Sequence, residues 1–377
     1  MRTMKVTRCL PCRLVVVVAS HLRSRKRTVV TVLLASFIVV VLTQKYWVQA
    51  HLQYLLEYDF AVSPTRRAGN TVRTKVPSYA VTGETNLTEN NSMVDFYEPS
   101  KCPRSIASLP KYSQWFRERF KPNVKLFLDK LDGDSIGNLS FYELPFGFKD
   151  ENHRFINRLL HHGNFKNLPL NLRRDKECIS CAVVGSGGIL NGSYAGKEID
   201  AHDLVFRLNT AITYGRYAKD VGSRTDFYMF FPESAHLNSF SGQNVTLLYT
   251  MYKSFDVEYV AELLNINRLR ISRRMDPDRL KIIHPDFFRY VFAKFLDGRA
   301  MKPTTGAIVV MLAVHLCDSV TIYGFGYDPQ FSMHYYDAEF LKRTYRSTWT
   351  HDVENEKRLW GKLHQEGALR FFKRDVM

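Results

Sequence analysis

Cys181-Ala-Val-Val-Gly-Ser-Gly-Gly188 opens on a four-residue apolar run and closes with three glycines in four positions. A short uncharged run bounded by glycine reads as a buried strand. A glycine-rich turn after such a strand reads as a tight exit into a helix, where backbone N–H groups can approach a phosphate. The full G-x-G-x-x-G dinucleotide fingerprint fails, because its third glycine position falls at Leu190.

Outward from this stretch the alternation continues. Residues 203–208, 246–250 and 280–283 read as further strands. Residues 306–316 read as an apolar helix that leads into a strand at 320–323. Residues 354–366 read as a helix with Leu359 and Leu363 on one face; Gly367 stops it before a last strand at 368–372. Upstream, 152–161 reads as a helix, and Trp115, Phe116 and Phe120 as one face of a short one. Strands alternating with helices predict an α/β domain: a largely parallel central sheet covered on both faces.

The formal charge of +16 is uneven, since nine Lys and Arg residues and no Asp or Glu precede Glu57. No later basic block resembles a nucleic-acid footprint, so no nucleic-acid partner is expected. Arg23, Arg25, Lys26 and Arg27 directly precede an uncharged apolar stretch from Thr28. With Tyr46, Trp47 and Val48 beyond Lys45, that stretch reaches the roughly 20 residues needed to span a bilayer. Basic residues on its N-terminal side place that side in the cytoplasm. The expected organisation is a cytoplasmic tail at 1–27, a signal-anchor transmembrane helix at 28–48, a flexible polar stem at 49–100 and a lumenal domain at 101–377. Asparagine sequons at Asn86, Asn90, Asn138, Asn191 and Asn244 agree with a lumenal location. So does the even lumenal cysteine count of Cys102, Cys178, Cys181 and Cys317, which suits two disulfides. A zinc site at Cys178-Ile-Ser-Cys181 would want a second close pair, and the other two cysteines stand alone.

Several segments carry candidate chemistry. Pro303-Thr-Thr-Gly306 opens the apolar helix with two hydroxyls and a glycine, which suits an N-cap, a phosphate or a ribose. His334 and His351 can each take up a proton near neutral pH, and Glu356 could orient an imidazole. Asp132-Gly-Asp134 and Asp276-Pro-Asp278 have the D-x-D form of metal-dependent glycosyltransferases. Asp beside Gly or Pro is ordinary turn chemistry, and both read as turns.

Taken together, these segments resemble the animal sialyltransferase family. Cys181 through Leu190, continuing through Glu198-Ile-Asp-Ala-His-Asp203 and Phe206-Arg-Leu-Asn209 to Asp220-Val-Gly222, resembles its large sialylmotif. Pro303-Thr-Thr-Gly306 through His315-Leu-Cys-Asp318 and Tyr323-Gly-Phe-Gly326 resembles the small motif. His334-Tyr-Tyr-Asp337 looks like motif III, and His351 with Glu356 fits the very-small motif. The resemblance implies a single Rossmann-like domain, the sialyltransferase variant of the GT-A fold. It implies inverting transfer of sialic acid from CMP-sialic acid to a glycan, with no metal and no other cofactor. Ser186, Asn209, Thr304, Thr305, Gly306 and Gly326 would contact the donor, although the family more often has Asn where Ser186 stands. His334 would contact the donor phosphate and His351 would be the base. Cys181 would pair with Cys317, and Cys102 with Cys178. A single-pass type II protein of the Golgi membrane follows, with O-glycosylated proteins as acceptors.

Within the family, Cys178-Ile-Ser-Cys-Ala-Val-Val-Gly185, Ile189-Leu-Asn-Gly192, Tyr142-Glu-Leu-Pro-Phe-Gly147 and the run from His351 to Gly367 look most like the enzymes that attach sialic acid α2,6 to O-linked GalNAc. These are the alpha-N-acetylgalactosaminide alpha-2,6-sialyltransferases of types 1 and 2, and the short stem is nearer type 2. Phe231-Pro-Glu-Ser234 and Gly324-Phe-Gly-Tyr-Asp328 are more like the α2,3 enzymes that modify galactose. A catalytically inactive, lectin-like membrane protein is a third reading, and the intact His334 and His351 argue against it.

Overall fold

The computed structural model describes residues 100, 102–162, 172, 176–236, 244–264, 266, 277–340 and 350–374. The expected anchor and nearly all of the stem, with Asn86 and Asn90, lie outside the described residues, as does Asp276. Among the described residues no helix is long and apolar enough to cross a membrane.

Seven strands form one sheet: β1 (Ser180–Val184), β2 (Leu204–Leu208), β3 (Phe227–Phe230), β4 (Thr246–Tyr249), β5 (Leu280–Ile282), β6 (Ser319–Tyr323) and β7 (Arg370–Phe371). Their order is β5-β4-β3-β2-β1-β6-β7 and every ladder is parallel. The helices of nine or more residues are α1 (His153–His161), α2 (Ser254–Leu263), α3 (Pro285–Phe295), α4 (Thr305–Leu316) and α5 (Val353–Gln365).

Four of these five helices begin where the sequence supplies a capping side chain; α2 follows Lys253, which makes no side-chain cap. Asn152 accepts from the Phe155 N–H at 3.1 Å, and α1 then buries Ile156, Leu159 and Leu160 on one stripe. Pro285 occupies the first turn of α3, behind an N-cap at His284. Asp352 caps α5, with Glu354 and Glu356 in its first turn and Lys362 and His364 in its last, the polarity the helix dipole favours. All twelve residues of α4 are buried, so it is a core element with no solvent face.

Register divides the sheet's side chains between two faces. Ala182, Val205, Thr321, Arg207, Tyr228, Leu247 and Leu280 share one. On it, Tyr228, Phe230, Tyr249, Leu280 and Ile282 pack with α1 and α2 residues. Cys181, Val183, Phe206 and Phe227 lie on the other, where the Phe206 and Phe227 rings stack at 4.4 Å. Cys181 is bridged to Cys317, which pins the end of α4 to that face.

The structure corrects several sequence expectations. β3 is a buried strand that the sequence reading did not assign, and α2 and α3 were likewise unassigned. The glycine turn after β1 does not open a helix of any length; it runs into a three-residue 3-10 turn, Gly188–Leu190. Asp132-Gly-Asp134 is not a turn but part of a short helix, Lys130–Asp134, where Asp129 and Asp132 form a capping box. Asp132 also bonds Lys125 at 2.8 Å and His284 at 3.3 Å, and Asp134 pairs with His161, so both carboxylates are engaged by side chains of their own domain.

Cys102–Cys178 and Cys181–Cys317 are the disulfides, the pairing that the family resemblance implied. The second closes a separation of 136 residues and joins β1 to the end of α4. Cys181→Ser should therefore cost about 2–5 kcal/mol of stability and impair secretion of the domain. Peptide mapping under non-reducing conditions should recover Cys181 linked to Cys317; a free thiol at either position would contradict the pairing.

Candidate active site

β1 lies inside the sheet, between β2 and β6. The chain steps outward from β2 to β5 on one side, then returns to place β6 and β7 on the other. The order reverses between β1 and β6, and the crevice beyond their carboxyl ends is where such sheets bind ligands. α4 runs back against β6, which begins three residues after the helix ends, so the N-terminus of α4 lies at this same edge.

The loops after β1 and β6 meet there backbone to backbone. The N–H groups of Gly185, Gly187 and Gly188 donate to the carbonyls of Tyr323, Gly324 and Ser332 at 2.8, 2.9 and 3.1 Å. A Cβ at position 187 would sit 2.6 Å from the Gly324 oxygen, so only glycine fits. These three amides are spent on the neighbouring loop rather than offered to a phosphate. Ser186, between them, accepts the Tyr335 N–H at 2.8 Å through its carbonyl. Gly326 lies at φ +88°, and a Cβ there would strike Phe371 of β7 at 2.6 Å.

Asn209 follows β2 directly, in the left-handed conformation at φ +53°, which Asn tolerates better than most residues. Its N–H donates to the Met229 carbonyl and its own carbonyl accepts from the Tyr228 hydroxyl at 2.7 Å. With the backbone so fixed, the amide oxygen Oδ1 is buried and has no partner among the described residues. A buried polar atom without a partner is costly, and a bound ligand is one way to satisfy it.

Thr304 caps α4 through the Ala307 N–H at 3.0 Å. Its own N–H and hydroxyl donate to the two carboxylate oxygens of Glu356, at 2.9 and 2.6 Å. Burial raises the Glu356 pKa to about 7, outweighing the two hydrogen bonds that favour the carboxylate. Two residues earlier, Lys302 donates its N–H to the Thr350 carbonyl at 3.2 Å, and its carbonyl accepts from His351 Nδ1 at 3.0 Å. Segments 302–304 and 350–356 are thus tied by two rungs. Glu356 does not orient the imidazole; the Lys302 carbonyl does. A hydrogen on Nδ1 leaves Nε2 of the neutral ring as the proton acceptor. Burial lowers the His351 pKa, and the Lys302 charge lowers it further, against the hydrogen bond to the carbonyl.

His334 is held differently. Its Nδ1 bonds the Asp337 carboxylate at 2.6 Å, and its ring stacks on Tyr336 with centroids 5.0 Å apart. A cleft lined by Gly326, Tyr327, Phe331, Met333, Val353 and Lys357 separates the two histidine segments: one wall ends beside His334, the other begins just after His351. Thr305 also reaches the site, its hydroxyl 3.1 Å from that of Tyr252. Gly306 packs under Phe325. Tyr252, Asp337 and Lys302 are the site residues that sequence reasoning missed. Lys302 and Asp337 could have been found from their places beside Pro303-Thr-Thr-Gly306 and at the end of the His334 motif, whereas nothing local marks Tyr252. Asn138, Asn191 and Asn244 are exposed.

The sequence profile described as glycosyltransferase family 29 (sialyltransferase) matches residues 132–368. Human alpha-N-acetylgalactosaminide alpha-2,6-sialyltransferase 1 is 34% identical over 320 residues, covering 72% of this chain and 52% of that protein. The chain thus spans about half the length of that relative. CMP-N-acetylneuraminate-beta-galactosamide-alpha-2,3-sialyltransferase 1 of Pan troglodytes is 30% identical over 311 residues, covering 76% of this chain and 86% of that one. The crystal structure of a mammalian sialyltransferase, 30% identical, superposes with a TM-score of 0.58 over 74% of this chain and 100% of that one. A mammalian sialyltransferase in complex with Gal-beta-1-3GalNAc-ortho-nitrophenol gives a TM-score of 0.56. With the parallel seven-stranded sheet and the motif residues assembled at its switch point, this places the chain in glycosyltransferase family 29, the sialyltransferases.

Proposed function

We propose that this protein transfers sialic acid from CMP-sialic acid to O-linked glycans of glycoproteins, forming an α2,6 linkage to GalNAc by inverting displacement without a metal ion. The observation that supports this reading is the tie between Thr304 at the head of α4 and the His351–Glu356 segment, together with the Lys302 carbonyl that fixes the His351 ring through Nδ1. The bond from the acceptor oxygen to the anomeric carbon forms as the bond from that carbon to the CMP phosphate breaks. The acceptor proton passes to His351 Nε2. His334, the N-terminus of α4 and the Thr305 hydroxyl stabilise the departing phosphate, Thr304 holds that N-terminus at the donor through its tie to Glu356, and Asn209 Oδ1 finds its partner on the donor. Ser186, Gly306 and Gly326 line the donor's path.

The α2,6 linkage is supported by the identity to the human alpha-2,6 relative and by the segments named above. A second reading, α2,3 transfer to Gal-β1,3-GalNAc, is favoured by Phe231-Pro-Glu-Ser234 and by the disaccharide in the related crystal structure. The same proposal places residues 1–27 in the cytoplasm, an anchor at 28–48 in the Golgi membrane, a stem at 49–100 and the catalytic domain at 101–377 in the lumen. Two disulfides among the described residues fit that oxidising compartment.

His351→Ala should lower kcat by about 10²–10⁴ while leaving donor affinity nearly unchanged. His334→Ala should instead weaken CMP binding. Imidazolium cannot accept a proton, so kcat/KM should fall as pH drops through the base's pKa. With burial and Lys302 lowering it, that limb should lie below the ordinary histidine value of about 6.5, and His351→Ala should abolish it. Near-normal turnover of His351→Ala at saturating acceptor would refute the assignment.

Activity should persist in EDTA, because the Asp132 and Asp134 carboxylates are bound by Lys125, His284 and His161. Loss in EDTA reversed by manganese would instead make a D-x-D pair a metal site. Linkage analysis of the product from a GalNAc-peptide should give α2,6-linked sialic acid. A product only on Gal-β1,3-GalNAc, linked α2,3, would select the second reading.

A further inference from the structure

Two lysines near the head of α4 have different surroundings. Lys253 is matched twice, by Glu233 at 2.6 Å and Asp256 at 3.0 Å. Lys302 is half-buried, and among the described residues no carboxylate lies within ion-pair distance of its ammonium group. That group instead stands 4.3 Å from the centre of the Tyr252 ring, whose hydroxyl reaches Thr305 at the head of α4. An ammonium withdrawn from water and not matched by a carboxylate is costly, and the arrangement is completed by an anion.

We propose that Lys302 binds the carboxylate of the transferred sugar, an assignment that rests on the sialyltransferase reading. The argument runs through the chemistry of the anomeric carbon. In sialic acid the carboxylate is attached directly to that carbon, the same carbon the acceptor oxygen attacks. The base contacts the attacking oxygen, so a cation beside the base lies within reach of the carboxylate. Lys302 is that cation: its charge acts on the His351 imidazole, and its backbone carbonyl holds His351 Nδ1 at 3.0 Å. In an inverting displacement the phosphate departs from the opposite side of the carbon, away from the base. The base side of the carbon therefore gives the ammonium the sugar carboxylate as its partner, and comparing CMP with CMP-sialic acid separates this from a contact to the leaving group. Burial and the Lys253 charge both lower the Lys302 pKa, an effect that a bound carboxylate opposes. Because the contact to His351 is made by the backbone, replacing the side chain leaves it in place.

The test is calorimetric, with the full chain, no acceptor and a pH above the acidic limb. CMP, CMP-sialic acid and the methyl ester of CMP-sialic acid are titrated into wild type, Lys302→Met and Lys302→Arg. Lys302→Met should lose about 10- to 100-fold in affinity for CMP-sialic acid and less than about twofold for CMP, with unchanged thermal unfolding. Lys302→Arg should retain most of the donor affinity. Wild type should bind the methyl ester as weakly as Lys302→Met binds the donor. Undiminished donor affinity in Lys302→Met, or an equal loss for CMP and CMP-sialic acid, overturns the assignment while the sialyltransferase reading stands. A wild-type chain that binds no CMP overturns that reading, and this one with it.

Discussion

The contact on which the site depends is the approach of two backbones, Gly187 against the carbonyl of Gly324. Adjacent parallel strands keep their hydrogen-bonding distance only while the ladder lasts, and loops that leave it normally diverge. Here the loops after β1 and β6 stay together past the ends of their strands because neither has a Cβ in the way. Any side chain at position 187 would push the two apart. The loop from Gly324 to Ser332 would lose its seat, and with it one wall of the cleft and the segment that bears His334.

The opposite wall is built on another principle. α4 has no solvent face, so its position is set by packing around its whole circumference, and it brings Thr304 to the sheet edge as a fixed point. Segment 350–356 is then registered against that point by hydrogen bonds to backbone groups of Lys302 and Thr304 and to the Thr304 hydroxyl. Asn355 adds a third tie, donating to the Leu296 carbonyl at 2.9 Å. The proposed base, carried on a loop, is thus positioned as if it belonged to the core, which is what proton transfer at a defined atom requires.

Much of this was legible in the sequence because buried parallel strands and an apolar helix leave plain runs of uncharged residues. The exceptions have physical causes. α2 was missed because its polarity is inverted: Phe255 is 55% exposed while Asp256 is buried, held by Lys253 and by the Tyr252 N–H. α3 opens on Pro285, whose missing N–H has no cost at the first turn of a helix. β3 is only four residues long and ends against Phe231-Pro232, which drew attention as a motif and hid the run of rings before it. The glycine loop was located correctly but the partners of its amides were left open, since a sequence shows where N–H groups can approach something but not what they meet. No local pattern could link Thr304 to Glu356 across 52 residues.

That long-range pair also bears on the proposed choice of base. Glu356 has a pKa near neutrality, the value usually associated with general acid–base work, and it lies in the same motif as His351. Both of its oxygens are occupied, however, and by donors that cap and begin a core helix. Taking a proton from a substrate there would mean surrendering a hydrogen bond at the point that fixes the site's geometry. His351 has the opposite arrangement: one nitrogen fixes the ring and the other is the acceptor. The lowered pKa of the imidazole keeps that acceptor unprotonated over a wider range of acidity. The raised pKa of the carboxyl instead records the burial of the joint to which it belongs. Of two perturbed groups five residues apart, the geometry favours His351 as the proposed base and Glu356 as its support.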